Sequence, residues 1–190
     1  MSTLETNLIQ PSTGTTLTLG ANGDTITVPS GATFTNSGVM SGQNYPAFEA
    51  YGSTEQTGVA SNTYTKMQFN TEVYDTNSNY DNATNYRFTP TTAGKYFVYS
   101  GLSMYSDSAF SAFVFNTAIY KNGSVYKITP NNCNSSYPES ERFCIVSAVI
   151  DFNGSTDYVE TYARVVTTTG TCTFDIRQNQ GTFGAYRLGS

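Results

Sequence analysis

The most informative segment of the chain, residues 69–98, reads FNTEVYDTNSNYDNATNYRFTPTTAGKYFV. Aromatic residues recur along it between polar and turn-forming residues. Phe88 and Tyr96 are predicted to face inward from adjacent strands, because every second residue of a strand lies on the same face of its sheet. The turn between these strands contains Pro90, whose ring fixes φ, and Gly94, which tolerates a positive φ. The segment therefore predicts consecutive strands with one buried face.

The composition of the whole chain favours an all-β protein. Of the 190 residues, 14% are aromatic and only 12% are charged. Ser, Thr, Asn and Gly are common, and all four are weak helix formers that are better suited to strands, turns and caps. Tyr and Phe supply enough apolar surface for a core.

Residues 46–190 are predicted to form a β-sandwich or jelly-roll head. Aromatic-rich strand candidates follow one another there without helical periodicity between them. The predicted strands are residues 46–51, 66–74, 86–89, 95–105, 112–121, 124–128, 142–152, 157–166, 172–177 and 182–188. Asn122-Gly123 predicts a two-residue hairpin, and residues 153–156 predict a second hairpin. The longest predicted loop is polar and spans residues 129–141.

Residues 1–45 have a different composition, with no Lys or Arg and only two aromatic residues, Phe34 and Tyr45. Apolar residues alternate with Thr in three short stretches, which predicts strands at residues 15–19, 25–28 and 32–35. Three strands this short bury too little surface in one chain. We therefore expect a Thr/Gly-rich β stalk that anchors and oligomerises the protein, with a flexible linker as the alternative.

The spacing within the first segment carries a family resemblance. The spaced residues are Phe69, Asp75, Tyr80, Phe88, Pro90, Gly94 and Tyr96. They resemble the signature of the C1q-like globular domain, part of the tumour-necrosis-factor-like jelly-roll superfamily. One extra residue precedes Phe88, and Val98 stands where that family usually has Phe. The Lys121-Asn122-Gly123 turn and the Phe-containing final strand at residues 182–186 resemble further features of the family.

This resemblance covers about residues 46–189. It implies a jelly roll that associates as a homotrimer about a threefold axis. An unrelated aromatic-rich sandwich is the alternative.

The whole chain is similar in style to small virion proteins of marine tailed bacteriophages, in which a Thr/Gly-rich segment precedes a C1q-like head. The stretches that carry this second resemblance are residues 15–20 and 23–32. It implies a virion location, attachment to other virion proteins through the N-terminal segment, and a fibre or spike whose head binds a protein or glycan of the host surface. A capsid-decorating protein without receptor binding is the alternative. The first residues lack the basic and apolar regions of a secretory signal, which agrees with this expectation.

Several function classes are excluded by residue content. The chain has no His, so Ser-His or Cys-His catalysis and imidazole-ligated metals are excluded. A net charge of −5 with nine cations argues against nucleic-acid binding. No apolar run approaches the roughly 18 residues that span a bilayer. No pair of carboxylates stands out for glycosidase chemistry. We therefore expect a protein that is not an enzyme, has no cofactor and does not insert into membranes.

One loop contains half of a calcium-binding pattern. Oxygen-bearing side chains occupy alternate positions of this loop: Asp75, Asn77, Asn79 and Asp81. The position that requires Gly is Tyr80, and the position that requires a bidentate Glu is Tyr86. Asx-turns are therefore the favoured use of these residues, and a calcium site is the alternative.

Two polar loops, residues 103–110 and 131–140, are candidates for receptor contact. Within them Tyr105, Asp107 and Tyr137 are the candidate receptor-binding residues. Tyrosine offers rigid amphipathic contact area, and short polar side chains offer adaptable hydrogen bonds.

The three cysteines are an odd number without CxxC spacing, so neither a disulfide framework nor a zinc site is implied. They are Cys133, Cys144 and Cys172, and one pair of them remains able to form a disulfide. Cys144 lies in an apolar strand and is expected to be a small buried residue.

Overall fold

A computed structural model of the protein describes residues 9, 11, 13–35 and 46–189. The chain divides into two units, Met1–Gln43 and Asn44–Ser190. The predicted boundary at residue 45 lies outside the described residues, as does most of the beginning of the predicted stalk.

The described part of the first unit differs from the strands predicted there. Residues 13–35 contain turns and extended backbone but no strand. One turn is closed by the Ala32 N–H, which donates to the Pro29 carbonyl at 3.1 Å. The apolar side chains that alternate with Thr are exposed: Leu17, Leu19, Ile26, Val28 and Phe34. The physical reason is that a single chain offers these short stretches no neighbouring strand with which to pair.

Residues 46–189 fold into strands, and no helix of transmembrane length and hydropathy occurs in the described ranges. In chain order the strands are β1 (Ala47–Tyr51), β2 (Gln56–Val59), β3 (Thr65–Lys66), β4 (Thr71–Asp75), β5 (Tyr80–Asp81), β6 (Arg87–Phe88), β7 (Gly94–Ser106), β8 (Ala112–Lys121), β9 (Ser124–Asn132), β10 (Glu141–Phe152), β11 (Val159–Thr167), β12 (Cys172–Asp175) and β13 (Gly181–Gly189). β2 and β5 were not predicted, and the single strand predicted at residues 66–74 is divided into β3 and β4. β9 runs further than expected, so the long polar loop spans only residues 133–140.

The strands form two antiparallel sheets that pack face to face. The larger sheet has the order β2-β12-β7-β13-β1-β4. β10 pairs along the opposite edge of β7, which makes β7 the central strand. The smaller sheet has the order β5-β6-β11-β8-β9, and β3 also pairs with β11. This two-sheet arrangement confirms the predicted all-β sandwich.

A cluster of aromatic rings occupies the core between the sheets. The ring of Phe48 on β1 stacks on Tyr80 and on Phe88, with centroid distances of 4.6 and 4.5 Å. It also meets the ring of Phe183 on β13 edge to face at 5.0 Å. The buried hydroxyl of Tyr80 donates to the carbonyl of Phe69 at 2.7 Å, so no polar atom of this ring is left unpaired. We call Phe48, Tyr80, Phe88 and Phe183 the inter-sheet cluster.

The relation between Phe88 and Tyr96 corrects the prediction. Both rings are fully buried, but Phe88 belongs to the smaller sheet and Tyr96 to the larger. They therefore meet across the core at 5.8 Å instead of lying on adjacent strands. Gly94 has the positive φ predicted for this turn, +136°, and a Cβ there would lie 2.3 Å from the carbonyl oxygen of Gly189. Consecutive strands pair often but not always, and here the connection crosses between sheets.

Of the two predicted hairpins, one is confirmed and one is wrong. Asn122 and Gly123 both have positive φ, 51° and 76°, and they join the paired strands β8 and β9. Residues 153–156 instead join β10 of the larger sheet to β11 of the smaller sheet. The Asn153 side chain accepts hydrogen bonds from backbone N–H groups of this turn. Such bonds stabilise a turn without deciding whether its flanking strands pair.

We predict that Phe48→Ala lowers the free energy of unfolding by about 3–5 kcal/mol, because it removes the ring that joins both sheets and leaves a cavity. Urea denaturation monitored by tyrosine fluorescence measures this loss. Phe110→Ala is the matched control, since Phe110 is exposed, and it should change stability by less than about 0.5 kcal/mol. Equal losses in the two variants would contradict the central position of Phe48.

Candidate functional site

The outer face of the larger sheet points away from the core and carries a group of apolar side chains. Six side chains on β7, β10 and β13 form what we call the apolar face: Phe97, Tyr99, Phe143, Ile145, Val149 and Tyr186. Val149 on β10 and Tyr186 on β13 lie directly opposite Phe97 on β7, one on each side of it. Ile145, Val149 and Tyr186 expose 57%, 50% and 44% of their surface. Contiguous exposed apolar side chains of this kind mark interaction surfaces.

Two glycines leave room for large side chains to lie on this face. A Cβ at Gly101 would lie 3.1 Å from Ile145, and a Cβ at Gly184 would lie 2.4 Å from the hydroxyl of Tyr99. The Tyr99 hydroxyl donates to Oε2 of Glu49 at 2.7 Å. Burial and this bond to a carboxylate both raise the pKa of Tyr99. The ring of Tyr99 is therefore held in place on the apolar face.

The outer face of the smaller sheet is polar by contrast. Nζ of Lys66 forms an ion pair of 2.6 Å with Oε1 of Glu160, whose side chain is buried. Burial lowers the pKa of Lys66, but the hydrogen bond and charge of Glu160 outweigh it, and the net direction is upward. Beside this pair the rings of Tyr120 and Tyr162 stack at 4.1 Å. Lys66 and Glu160 thus neutralise one another on this face.

Three loops meet at one end of the sandwich: residues 107–111, 133–140 and 167–171. Backbone hydrogen bonds of 2.9 to 3.1 Å tie the first loop and its flanking residues to the other two. These bonds run from Ser106 N to Ser140 O, Ala112 N to Glu139 O, Asp107 N to Thr171 O and Thr168 N to Ser111 O. The loops are therefore held in a defined arrangement.

A cavity of about 360 Å³ lies between the first two of these loops, and we call it the loop cavity. It is lined by Tyr105, Ser106, Asp107, Ala109, Ser140 and Glu141. Tyr105 on β7 lies opposite Glu141 on β10. The pKa of Tyr105 is raised to about 12, with burial as the largest cause and a hydrogen bond to Glu55 as the second. The phenol is therefore protonated at neutral pH.

The carboxylate of Asp107 is oriented by two threonine hydroxyls. Oγ1 of Thr173 donates to Oδ1 of Asp107 at 2.7 Å, and the hydroxyl of Thr171 donates to the other oxygen. Each carboxylate oxygen accepts more than one hydrogen bond, so acceptor capacity remains for a ligand.

Two strongly exposed aromatic residues lie in the loops that border the cavity. Phe110 exposes 70% of its surface and Tyr137 exposes 77%. Phe110 also has a φ of +51°, in the left-handed region that bulky residues rarely adopt. A strained and exposed aromatic residue gains nothing from the core, and strain of this kind concentrates at functional sites.

The structure brings two of the three candidate receptor-binding residues together. Tyr105 and Asp107 line the loop cavity, and Tyr137 lies in the loop of residues 133–140 that borders it. Sequence reasoning did not single out Phe110 or Glu141. An aromatic residue within a run of small polar ones was a signal for Phe110, whereas Glu141 enters the cavity only through the pairing of β10 with β7.

The oxygen-rich loop uses its side chains to hold its own backbone. Oδ1 of Asp75 accepts from the N–H of Asn77 at 3.2 Å, and Oδ2 accepts from the N–H of Tyr80 at 2.7 Å. Oδ1 of Asn79 accepts from the N–H of Thr91 at 2.8 Å. These are the Asx-type bonds favoured by the sequence.

The fourth residue of the loop, Asp81, accepts hydrogen bonds from the backbone N–H groups of Ala83, Thr84 and Asn85. The bond from Thr84 is the largest of the effects that lower the pKa of Asp81 to about 2. Nowhere in residues 9, 11, 13–35 and 46–189 do three or more Asp, Glu, Cys or His cluster as ligands for a metal ion.

All three cysteines carry free thiols. Cys144 and Cys172 are buried, and burial raises the pKa of both thiols, that of Cys172 to about 11. Both thiols are therefore protonated at neutral pH and act as small apolar residues. Cys133 is partly buried, and its thiol donates to the carbonyl of Ala112 at 3.5 Å.

Known structures with the same fold are found among tumour-necrosis-factor-like proteins. The crystal structure of murine APRIL aligns with a TM-score of 0.52 and 10% identity, over 76% of this chain and 100% of that one. Eiger TNF from S. frugiperda aligns with a TM-score of 0.53 and 12% identity, over 77% of this chain and 94% of that one. The globular domain of zebrafish complement 1qA protein also aligns, with a TM-score of 0.48 and 14% identity, over 76% of this chain and 98% of that one.

No protein-family model matches the sequence, and no curated protein matches it. The alignments to APRIL and Eiger TNF show the fold, which is a jelly roll of the TNF-like kind. The fold implied by the spacing of Phe69 to Tyr96 is therefore confirmed.

We predict that Asp81→Asn lowers stability at pH 7 by roughly 1 kcal/mol, because the charged carboxylate accepts three backbone N–H groups. The pKa of Asp81 is depressed in the folded state, so its contribution is present above about pH 4 and is lost as the pH falls towards 2. Urea unfolding at pH 7, 4 and 2.5 should therefore show the two proteins converging at low pH.

The matched control is Asp151→Asn, which removes an exposed ion pair with Lys95. It should change stability at pH 7 by only a few tenths of a kcal/mol, as exposed ion pairs do. A difference between Asp81→Asn and the parent protein that stays constant down to pH 2.5 would show that the charge of Asp81 is not involved.

Proposed function

We propose that the protein is a non-enzymatic structural protein of a bacteriophage virion, a homotrimeric fibre or spike whose head binds the host surface. The head is the sandwich of residues 46–189, and the N-terminal segment joins it to other virion proteins.

The observation that carries this proposal is the apolar face. Three of its side chains, Phe143, Ile145 and Val149, project from β10, an edge strand of the larger sheet. An exposed apolar surface favours association and is usually covered in the functional state. Three copies in a closed ring cover such a surface on every subunit, since a ring joins one patch of each subunit to a second patch of the next.

The N-terminal segment supports the same arrangement. Its apolar residues between 17 and 34 are exposed in the single chain although they alternate with Thr in strand fashion. Parallel copies of the segment supply the neighbours that such short strands lack. The Thr/Gly-rich style of this segment before a C1q-like head is the feature that favours a virion protein.

The loop end supports a binding role for the head. It presents an ordered cavity with two carboxylates and an aromatic ring, together with the exposed rings of Phe110 and Tyr137. Trimerisation multiplies the strength of a weak site, because three linked sites bind a surface together. A capsid-decorating role uses the same trimer but leaves the loop end without a partner.

We predict that Ile145→Lys disrupts self-association, because it places a charge in a surface that the trimer keeps from water. Val125→Lys is the matched control, since Val125 on β9 of the smaller sheet exposes 51% of its surface against 57% for Ile145. Sedimentation velocity should show a smaller particle for Ile145→Lys and no change for Val125→Lys, with the same circular dichroism in both. Unchanged sedimentation of Ile145→Lys would count against the apolar face as the contact.

The virion role is tested by electron microscopy of particles labelled with an antibody against this chain. We expect label on the tail, and purified trimer should bind host cells and compete with infection. Label spread over the shell would support decoration instead, and the absence of label from particles would reject both virion roles.

A further inference from the structure

We infer that the loop cavity is a binding site for an uncharged saccharide. This inference deepens the proposed host-binding function and names the ligand chemistry of the same end of the head. It rests on the size, charge, aromatic content and rigidity of the cavity.

The size of the cavity suits one or two sugar rings. Its volume of about 360 Å³ lies at the lower end of the range for small-molecule sites. Its lining mixes aromatic, hydroxyl and carboxylate groups, a combination that matches a ligand with apolar C–H faces and hydroxyl edges.

The charges around the cavity favour hydroxyl donors over anions. Its lining contains two carboxylates and no cation. Ionised carboxylates only accept hydrogen bonds, so they match neighbouring hydroxyls of a sugar and repel acidic sugars. Arg142, next to Glu141 in sequence, is already paired with Glu139, and Arg177 is paired with Asp175 and Glu55.

The two carboxylates of the lining, Asp107 and Glu141, differ in how they are held. Asp107 is fixed by the hydroxyls of Thr171 and Thr173, so its orientation is set before a ligand arrives. Glu141 is exposed and takes part in none of the ion pairs that the described residues form. It lies opposite Tyr105 in the β7–β10 register. A ligand that packs on the Tyr105 ring is therefore within reach of a carboxylate acceptor.

The aromatic groups supply a stacking surface. The electron-rich face of an aromatic ring attracts the polarised C–H groups of a sugar. Tyr105 provides such a ring in the lining, and Phe110 provides a second in the loop that forms one wall. Phe110 combines a φ of +51° with a side chain that exposes 70% of its surface.

The cavity is pre-organised, which lowers the entropic cost of binding. Its walls are tied by the Ser106 N to Ser140 O bond of 3.1 Å. Within the first loop the hydroxyls of Ser106 and Ser111 lie 2.5 Å apart, and the Ser111 hydroxyl also donates to the Ser108 carbonyl at 2.8 Å. The loops therefore need no folding step when a ligand enters.

The experiment is a glycan array with the purified full chain, followed by calorimetric titration of the best ligand. The array carries neutral glycans ending in glucose, galactose, mannose or N-acetylglucosamine, together with sialylated and sulfated glycans. A lysine-rich peptide is titrated separately, because acidic cavities also bind basic peptides. We expect binding to at least one neutral glycan and none to the anionic set.

Phe110→Ala is the decisive variant, since its fold is expected to be intact, and it should weaken binding of that neutral glycan by roughly tenfold. Glu141→Gln should weaken it as well, because a neutral amide is a poorer acceptor of hydroxyl donors. Tyr126→Ala, which removes an exposed tyrosine from β9 of the smaller sheet, is the matched control and should bind like the parent protein.

Binding only to anionic glycans, only to the peptide, or to none of the probes would overturn the inference, as would full binding by Phe110→Ala and Glu141→Gln. The virion role is judged separately by antibody labelling. Shell label together with neutral-glycan binding would reject host attachment but would support the saccharide site. Tail label without glycan binding would support host attachment and reject the saccharide site.

Discussion

The contact of Phe48 with rings from both sheets is the interaction on which the rest of the structure depends. Phe48 lies on the larger sheet and stacks on Tyr80 and Phe88 of the smaller one, while Phe183 meets it edge to face. Because strand residues alternate between faces, placing these rings inward determines which side chains point outward on every paired strand. The composition of the outer surfaces is thus a direct consequence of the inter-sheet cluster.

The two outer faces differ in a way that bears on association. On the smaller sheet, buried Glu160 is neutralised by Lys66, and Tyr120 and Tyr162 stack on one another. On the larger sheet, the rings of Phe97 and Tyr186 lie 5.5 Å apart, and Ile145, Val149 and Tyr186 of the apolar face are exposed. Exposed apolar surface costs free energy in water, whereas paired polar groups do not. We therefore expect copies of the chain to meet through the larger sheet.

Much of the fold was predictable from local sequence, because alternation and turn chemistry act over a few residues. The long strands β7, β8 and β10 and the Asn122-Gly123 turn were found on that basis. The sheet to which a strand belongs was not predictable, since pairing is set by contacts distant in sequence. Local sequence therefore predicts that Phe88 and Tyr96 lie side by side instead of across the core, and it predicts a hairpin at residues 153–156.

The residues of the candidate site also divide into those that local sequence predicts and those that depend on strand pairing. Tyr105 and Asp107 were recognised as loop-end residues, whereas Glu141 joins them only because β10 pairs with β7. The local sequence does not predict β2 and β5, since short strands carry little periodicity.

The central claim is that copies of the chain cover the apolar face, and the mass of the full chain in solution tests it most directly. Sedimentation equilibrium over the micromolar concentration range should give a mass three times that of the 20.6 kDa chain. A mass equal to that of a single chain over the whole range would contradict the account.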